Sequence, residues 1–397
     1  MSQSGVEVNE ELTDLPVVGL AAERSGGDAA ALRGEVAGLL RRWRLAGRFE
    51  PRCDAWLLGY DLSFSALIAE QGWIGMAWSP AYGGGGRSYR ERLIVTEELL
   101  RAGAPAAAHW IADRQIGPSI FAYGSDRLKA EILPAIARAE ARFCLGMSEP
   151  DAGSDLASVR TRAERVPSGW RLHGQKVWSS HAHRSNFGYV LARTSGSPGE
   201  HRGLTEFVLD MDQPGVDVRP IEDLRGERHF CEIFFDGAFV PDGRVLGEVG
   251  SGWPQVVAQL AFERGGTERI LSTYPLLASL VRLVHDGTID DHHQQVGRLV
   301  ALLAALRKLA WDYATKLDAG EGNVATAATL KYLGTRFEVD VVETARRVAG
   351  QFLLESVDEQ FAKMWRSALL ASPGFSIRGG TSQVLAVLIA RESRGRL

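Results

Sequence analysis

The sequence predicts an α+β protein built of three consecutive parts: a helical N-terminal part, a middle antiparallel β-barrel or sandwich, and a helical C-terminal bundle. Three observations carry this. Apolar residues recur at spacings of three and four from about Ala29, the period turns strand-like near Arg142, and the helical period returns at Trp253. At 397 residues the chain is too long for one small core. The expected ranges are a tail over 1–28, a helical domain over 29–141, a β-domain over 142–247 and a helical bundle over 248–397.

In the first part, Leu32, Val36, Leu39 and Leu40 mark one helix, and Leu62, Leu67, Ile68, Trp73 and Ile74 continue the pattern. A loop with Pro80 and the glycines at 83–86 follows. It has neither GxGxxG nor a Gly-Lys-Ser/Thr ending, so a tight interhelical connection fits it better than a phosphate site. Helices are expected over 90–100 and 128–141, with Pro134 as a kink or boundary. Strands are expected over 143–147, 159–166, 170–178, 189–194, 205–211, 216–221 and 231–235, separated by turn residues. The last part reads as helices over 256–284, 293–317, 324–352, 359–370 and 381–394, with Pro373-Gly374 introducing the final loop.

A hydrophobic content of 45% and a charged content of 24% are those of an ordinary globular protein. The net charge of −4 gives no reason to expect nucleic acid, so a phosphate-rich ligand would have to be met by local arginines. Cys53, Cys144 and Cys231 lie far apart without metal-ligand spacing, which fits a reducing cytoplasm. The polar, acidic start does not read as a signal peptide, and no run is long enough to span a membrane.

Three stretches can carry chemistry. In Ile377-Arg378-Gly379-Gly380-Thr381-Ser382-Gln383, two glycines break the chain and Thr381 or Ser382 offers an N-cap to an apolar helix. Glycines beside a helix N-terminus leave N–H groups unshielded, as a chain needs in order to approach a phosphate, a flavin or a carbonyl oxygen; a plain loop-to-helix junction is the alternative. Met147-Ser148-Glu149-Pro150-Asp151-Ala152-Gly153-Ser154-Asp155 is a hydroxyl-bearing loop at a strand end, or an ordinary polar turn. Gly174-Gln175-Lys176-Val177-Trp178-Ser179-Ser180 sets a flat ring beside two hydroxyls, or holds a buried structural tryptophan.

Together, and in the order helices, strands, helices, these stretches resemble the acyl-CoA dehydrogenase family. The resemblance implies FAD as cofactor, bound through the segment Leu145 to Ser154, with Leu145 and Met147 lining it and Ser148 and Ser154 as side-chain contacts. Ser154 would also lie near the acyl thioester, as would Arg264. Trp178-Ser179-Ser180 stands where the family has Trp-Ile-Thr, so Trp178 would pack on the flavin and Ser180 would bond near its N5 edge. Thr381 and Gln383 match FAD contacts, and the Gly379 N–H matches the family's donor to the thioester oxygen. The implied reaction is α,β-dehydrogenation of an acyl thioester on CoA or a carrier protein, with an electron-transferring flavoprotein or another acceptor taking the electrons.

Two departures modify that expectation. Many members have a catalytic Glu where this chain has Gly379, and glycine cannot take a proton. Others carry the base on the first helix of the last domain, where Glu263 stands. Its neighbours at three and four positions are Gln259, Leu260, Gly266 and Thr267, so no cation on its own helix pairs with it. A base there requires an apolar, flavin-covered pocket, and a solvated helix carboxylate is the alternative. Arg264 stands four before Glu268, a spacing that suits a surface pair. The second departure is that Arg269-Ile270-Leu271-Ser272-Thr273 lacks the family's Arg-x-x-Phe-Gly motif, and its Gly-Gly-x-Gly element is reduced to Gly350. From His293 to Leu299 the chain is similar to a bacterial subgroup acting on bulky or steroid-derived acyl-CoAs, several of which pair two unlike subunits. A homo-oligomer, a heterotetramer with a related subunit, a non-catalytic partner role and a flavin monooxygenase of similar fold stay open. The intact Ser148 to Asp155 loop weighs against the last.

Overall fold

The computed structural model describes residues 27–289, 292–351 and 359–394. The tail expected ahead of Gly27, and Phe352 at one expected helix end, lie outside them. The first part comprises α1 (Gly27–Leu45), α2 (Ala55–Leu58), α3 (Leu62–Glu70), α4 (Tyr89–Arg101), α5 (Ala107–Ile111), a π-helical turn over Ala112–Ile116, α6 (Gly117–Tyr123) and α7 (Asp126–Ala137). The helix starts are written in the sequence. Asp61 caps α3, Ser125 caps α7, and Ser88 with Glu91 forms a reciprocal capping box on α4. Pro134 sits inside α7 rather than at its boundary.

The middle part is one eight-stranded sheet: β1 (Phe143–Gly146), β2 (Arg162–Val166), β3 (Gly169–Ser180), β4 (Phe187–Arg193), β5 (Leu204–Asp210), β6 (Val216–Ile221), β7 (Phe230–Pro241) and β8 (Val245–Leu246). The order is β6-β7-β3-β2-β4-β5-β8, with β1 on β4. Pairing is mainly antiparallel, but β1 and β2 meet β4 in parallel. β3 and β7 are the long central pair, and their register slips between Lys176 and Ser179. This bulge turns Trp178 outward at φ 61°, a conformation a bulky residue rarely adopts.

The last part holds α8 (Trp253–Arg264), α9 (Glu268–Leu271), α10 (Tyr274–His285), α11 (His293–Asp318), α12 (Val324–Gln351), α13 (Glu359–Phe375) and α14 (Ser382–Arg394). The continuous helix expected over 256–284 is three helices. The reason is close approach: a Cβ on Gly265 would lie 2.2 Å from the Tyr313 ring, and one on Gly266 would lie 1.9 Å from the Glu268 carboxylate. Pro275 then opens α10. The loop expected at Pro373-Gly374 is instead the last turn of α13, which is anchored by buried Phe375, whose carbonyl accepts from Thr335 Oγ1.

The cores cross the three parts. Trp56, Leu57 and Trp110 of the first part pack with Leu271, Val341 and Phe375 of the last, while Phe143 and Tyr189 of the sheet join α3 and α7. Gly265→Ala would drive a methyl into the Tyr313 ring, so it is expected to lower stability by about 1–3 kcal/mol in urea titration. Unchanged stability would show that the ring yields freely.

Candidate active site

The Ile377 to Gln383 stretch is held at both ends. On one side, the Arg378 guanidinium donates to both Asp54 carboxylate oxygens, at 2.8 and 2.7 Å. That guanidinium lies 4.8 Å from the Trp56 ring, and Arg269 lies 5.1 Å from the same ring. Trp56 Nε1 donates to Ser272 Oγ, the Asp54 N–H donates to Ser272 O, and the Ser272 N–H donates to Glu338, each at 2.8 Å. Burial pushes the Glu338 carboxyl up to about 8. On the other side, Thr381 is the cap: its Oγ1 accepts the Val384 N–H at 3.3 Å. Between these anchors Gly379 and Gly380 adopt φ of +69° and +102°, angles that glycine takes without strain.

Glu263 faces these glycines from the end of α8. A Cβ on Gly379 would sit 2.6 Å from Glu263 Oε1 and 3.0 Å from Arg269 Nη2. The absence of a pairing cation, expected from the helix spacing, does not hold in the fold. The Gly265-Gly266 break brings Arg269 of α9 round, and its Nη2 donates to Glu263 Oε1 at 2.9 Å. Nor are its surroundings apolar. Arg264 Nε donates to the Gly379 carbonyl at 3.0 Å, and Lys331 Nζ of α12 donates to the Gly380 carbonyl at 2.8 Å. Burial first, then Arg269, push Lys331 down to about 7. The expected surface pair of Arg264 with Glu268 does not form either: both are buried, Arg264 turns to Gly379, and burial pushes the Glu268 carboxyl up.

Glu268 faces a separate small cavity of about 50 Å³ behind the α8–α9 break, which is also lined by Arg92, Thr96, Arg114 and Tyr313.

The Ser148 to Asp155 loop is fixed from within. Glu149 accepts the Arg160 and Thr161 N–H groups and pairs with Lys176 at 2.8 Å, while Lys176 also donates to the Met147 carbonyl at 3.0 Å. The Val177 N–H donates to Ser148 O, tying the loop to β3 at the bulge. Leu145 and Met147 are half-buried against the first core, as is the Ser148 side chain in its loop; Ser154 is exposed. Trp178 is 58% exposed, which removes the buried structural reading, and it meets Phe230 edge-on at 5.8 Å. Ser179 is buried with no partner for its Oγ among the described residues, and Ser180 is half-buried at the strand end.

The two groups are linked through α2. His181, one residue past Ser180, bonds the Leu57 carbonyl at 2.6 Å, and its N–H donates to His229 O. His229 lies within electrostatic reach of Asp54 and Arg378. Thus the end of β3, through His181, and the glycine turn, through Arg378, are both tied to the Asp54–Leu57 segment, and Glu263 faces that glycine turn. Ser154 and the exposed Gln383 are not bonded to either group among the described residues. Sequence reasoning missed Asp54, Trp56, Arg269 and Lys331. Of these Lys331 left a signal, since it falls on the apolar stripe with Ala327, Ala328 and Leu330. Glu149 and Lys176 lay inside motifs already singled out.

A largely antiparallel sheet thus lies between two helical parts, with a carboxylate facing a pinned glycine turn. Residues 33–140, 144–238 and 250–393 match, respectively, the families described as Acyl-CoA dehydrogenase N-terminal, middle and C-terminal domains. The chain is 32% identical over 389 residues to acyl-CoA dehydrogenase IpdE1 of Mycobacterium tuberculosis, covering 96% of each. It is 33% identical to acyl-CoA dehydrogenase FadE34 of the same organism over 335 residues, 83% of this chain but only 45% of that one. The solved structure of the Tcur3481-Tcur3483 steroid ACAD matches with a TM-score of 0.80 at 26% identity, covering 95% of this chain and 98% of that one. The chain belongs to the acyl-CoA dehydrogenase family, an FAD-binding family of oxidoreductases.

Lys176→Met would strand the buried Glu149 carboxylate, and a loss of about 3 kcal/mol in urea titration is expected; a loss below 1 kcal/mol would show that the loop does not depend on this pair. Burial pushes His181 and His229 down to about 4, against 6.5 for an ordinary histidine. Between pH 6.5 and 4 the unfolded chain therefore binds protons that the folded chain does not, so stability is lost as pH falls through that window. His229→Gln, at a position facing Asp223, Arg225, Asp54 and Arg378, is expected to flatten that loss. An unchanged slope would place the proton uptake elsewhere.

Proposed function

We propose that this chain dehydrogenates an acyl thioester at its α and β carbons, with Glu263 as the acceptor of the α-proton. The observation that carries this is the distance of 2.6 Å between Glu263 Oε1 and the place of a Gly379 Cβ. The α8 carboxylate thus ends where a side chain at 379 would begin, and in this sequence Glu263 supplies the carboxylate at that place. Arg269 occupies Oε1, which leaves Oε2 to receive the proton.

The residues present fit FAD. An indole 58% exposed on a strained bulge is what a flat ring system would cover, and the neighbouring Ser179 hydroxyl is buried without a partner among the described residues. Trp178, Ser179 and Ser180 would hold the ring; Leu145, Met147, Ser148 and Ser154 would line it from the neighbouring loop. Thr381 and Gln383 would meet it from α14. When bound, FAD accepts the β-hydride. The chain supplies the rest. The Gly379 N–H, which meets no acceptor among the described residues, donates to the thioester oxygen, and the exposed Ser154 is a second candidate contact to the substrate. The Arg264 guanidinium, expected at the substrate, reaches it through the Gly379 carbonyl.

Exposed Trp178 and Ile377, the latter 63% exposed, favour a second chain covering this face. A relative described by two hyphenated names agrees with such a pairing. We take an electron-transferring flavoprotein, or another acceptor, to reoxidise the flavin. Names of curated relatives favour CoA over a carrier-protein thioester, and matched assays with the two would decide. Glu263→Gln, loaded with FAD and mixed anaerobically with an acyl-CoA series, is expected to slow flavin bleaching by about 10²–10⁴-fold. Bleaching at the wild-type rate would remove Glu263 from the reaction.

A further inference from the structure

Two buried basic side chains end on the Gly379-Gly380 turn, each bonded there to a backbone carbonyl, with the Glu263 carboxylate nearby. Arg264, 5% exposed, donates from Nε to the Gly379 carbonyl, and Lys331, 0% exposed, donates from Nζ to the Gly380 carbonyl. Taking a cation out of water is costly, and one neutral carbonyl offsets only part of that cost. An apolar side chain at 331 would continue the buried stripe of α12 with no such cost. The two cations come from different helices and reach consecutive carbonyls.

The backbone makes such contacts useful. Arg378 is fixed through Asp54 and Thr381 through its cap on α14, so only two glycines lie between the anchors. Glycine has the widest conformational range of any residue, and neither Gly379 nor Gly380 has a side chain by which to be held. Their carbonyls are the remaining handles. Clamping the Gly379 carbonyl to α8 fixes the 379–380 peptide plane, and clamping the Gly380 carbonyl to α12 fixes the 380–381 plane. The Gly379 N–H lies in the preceding plane, between anchored Arg378 and the first clamped plane, so its freedom is restricted from both sides.

We propose that Arg264 and Lys331 are positioning residues that hold the Gly379 N–H still for the thioester oxygen and place positive charge behind it. The inference rests on the roles given above to Glu263 and Gly379. As the α-C–H bond breaks, its proton passes to Glu263, and its electron pair moves to the thioester carbonyl, whose oxygen becomes an enolate oxygen. Glu263 is then neutral, while Arg264 and Arg269 remain charged beside the turn and the new negative charge favours the protonated form of Lys331. A preorganised donor backed by fixed charge favours that state over the neutral thioester.

Acetoacetyl-CoA tests this without turnover or knowledge of the natural acyl group. Its α-protons are acidic, and its enolate is distinguished from the keto form by near-ultraviolet difference absorbance. With the FAD-loaded protein, the affinity for the probe and the enolate fraction of the bound probe are read separately. The wild type is expected to enrich the enolate. Lys331→Met should lower the enolisation constant by about tenfold with little change in the affinity for the keto form, and Lys331→Arg should restore much of it. Equal enolate fractions in the wild type and Lys331→Met overturn the clamp. A wild type that binds the probe without enolising it overturns the clamp while leaving a thioester site in place. A wild type that does not bind it overturns the thioester reading itself, and the clamp with it. Flavin content and melting temperature identify a variant that has failed to fold. In that case Arg264→Lys, which keeps the charge but removes the Nε donor, serves instead: enolisation undiminished in it overturns the proposal.

Discussion

The pair between Arg378 and Asp54 is the constraint on which the rest of the site depends. Asp54 belongs to the short link between α1 and α2, takes φ of 57°, and is 1% exposed. It can hold Arg378 only because its own N–H is fixed to Ser272 O, and Ser272 is in turn held by Trp56 and Glu338. Removing either partner would leave a buried charge uncompensated, a loss of about 3–5 kcal/mol. The same Trp56 ring carries Arg269, the cation that fixes Glu263. One N-terminal turn thus sets both the glycine turn and the carboxylate facing it, although the three lie far apart in the chain. The shared core of Trp56, Trp110, Leu271 and Phe375 gives that turn the rigidity such positioning needs.

The relation between Glu263 and Gly379 follows from this geometry. The sequence alone shows only that one candidate position is glycine and another is glutamate. The fold brings the two positions together: with Glu263 and Arg269 in place, a Cβ at 379 would meet the ends of both side chains, at 2.6 and 3.0 Å. The glycine pair at 265–266 belongs to the same arrangement. By ending α8 directly after Arg264 it lets α9 turn back, so that Arg269 reaches a carboxylate six positions earlier.

Local signals made much of this readable in advance. The helix starting near Arg90, the strand set between 143 and 235 and the Thr381 cap all rest on residues near in sequence, whereas the exposed place of Trp178 was decided only by the bulge in β3. The breaks at Gly265-Gly266 and the continuation of α13 through Pro373 were not readable, because Tyr313, Glu268 and Phe375 decide them through packing. Asp54 and Trp56 had no motif to mark them; their importance arises from contacts to Arg378, more than three hundred positions away. Spacing along α8 gave the wrong surroundings for Glu263, since intrahelical neighbours say nothing of a cation delivered by the next helix. Lys331 was marked only as a charge on an apolar stripe, and its partner is a backbone carbonyl that no sequence pattern specifies.

Acetyl-CoA offers the most direct test of where the proton goes. It has no β-carbon, so it reports proton removal apart from hydride transfer. Incubated in deuterium oxide with the FAD-loaded protein, and with any companion chain that copurifies, its methyl group can be followed by mass. If α8 carries the proton acceptor, the wild type will exchange deuterium into bound acetyl-CoA, and Glu263→Gln will bind it with similar affinity yet exchange it no faster than solvent alone. Exchange at the wild-type rate by Glu263→Gln would contradict the assignment of the base to α8.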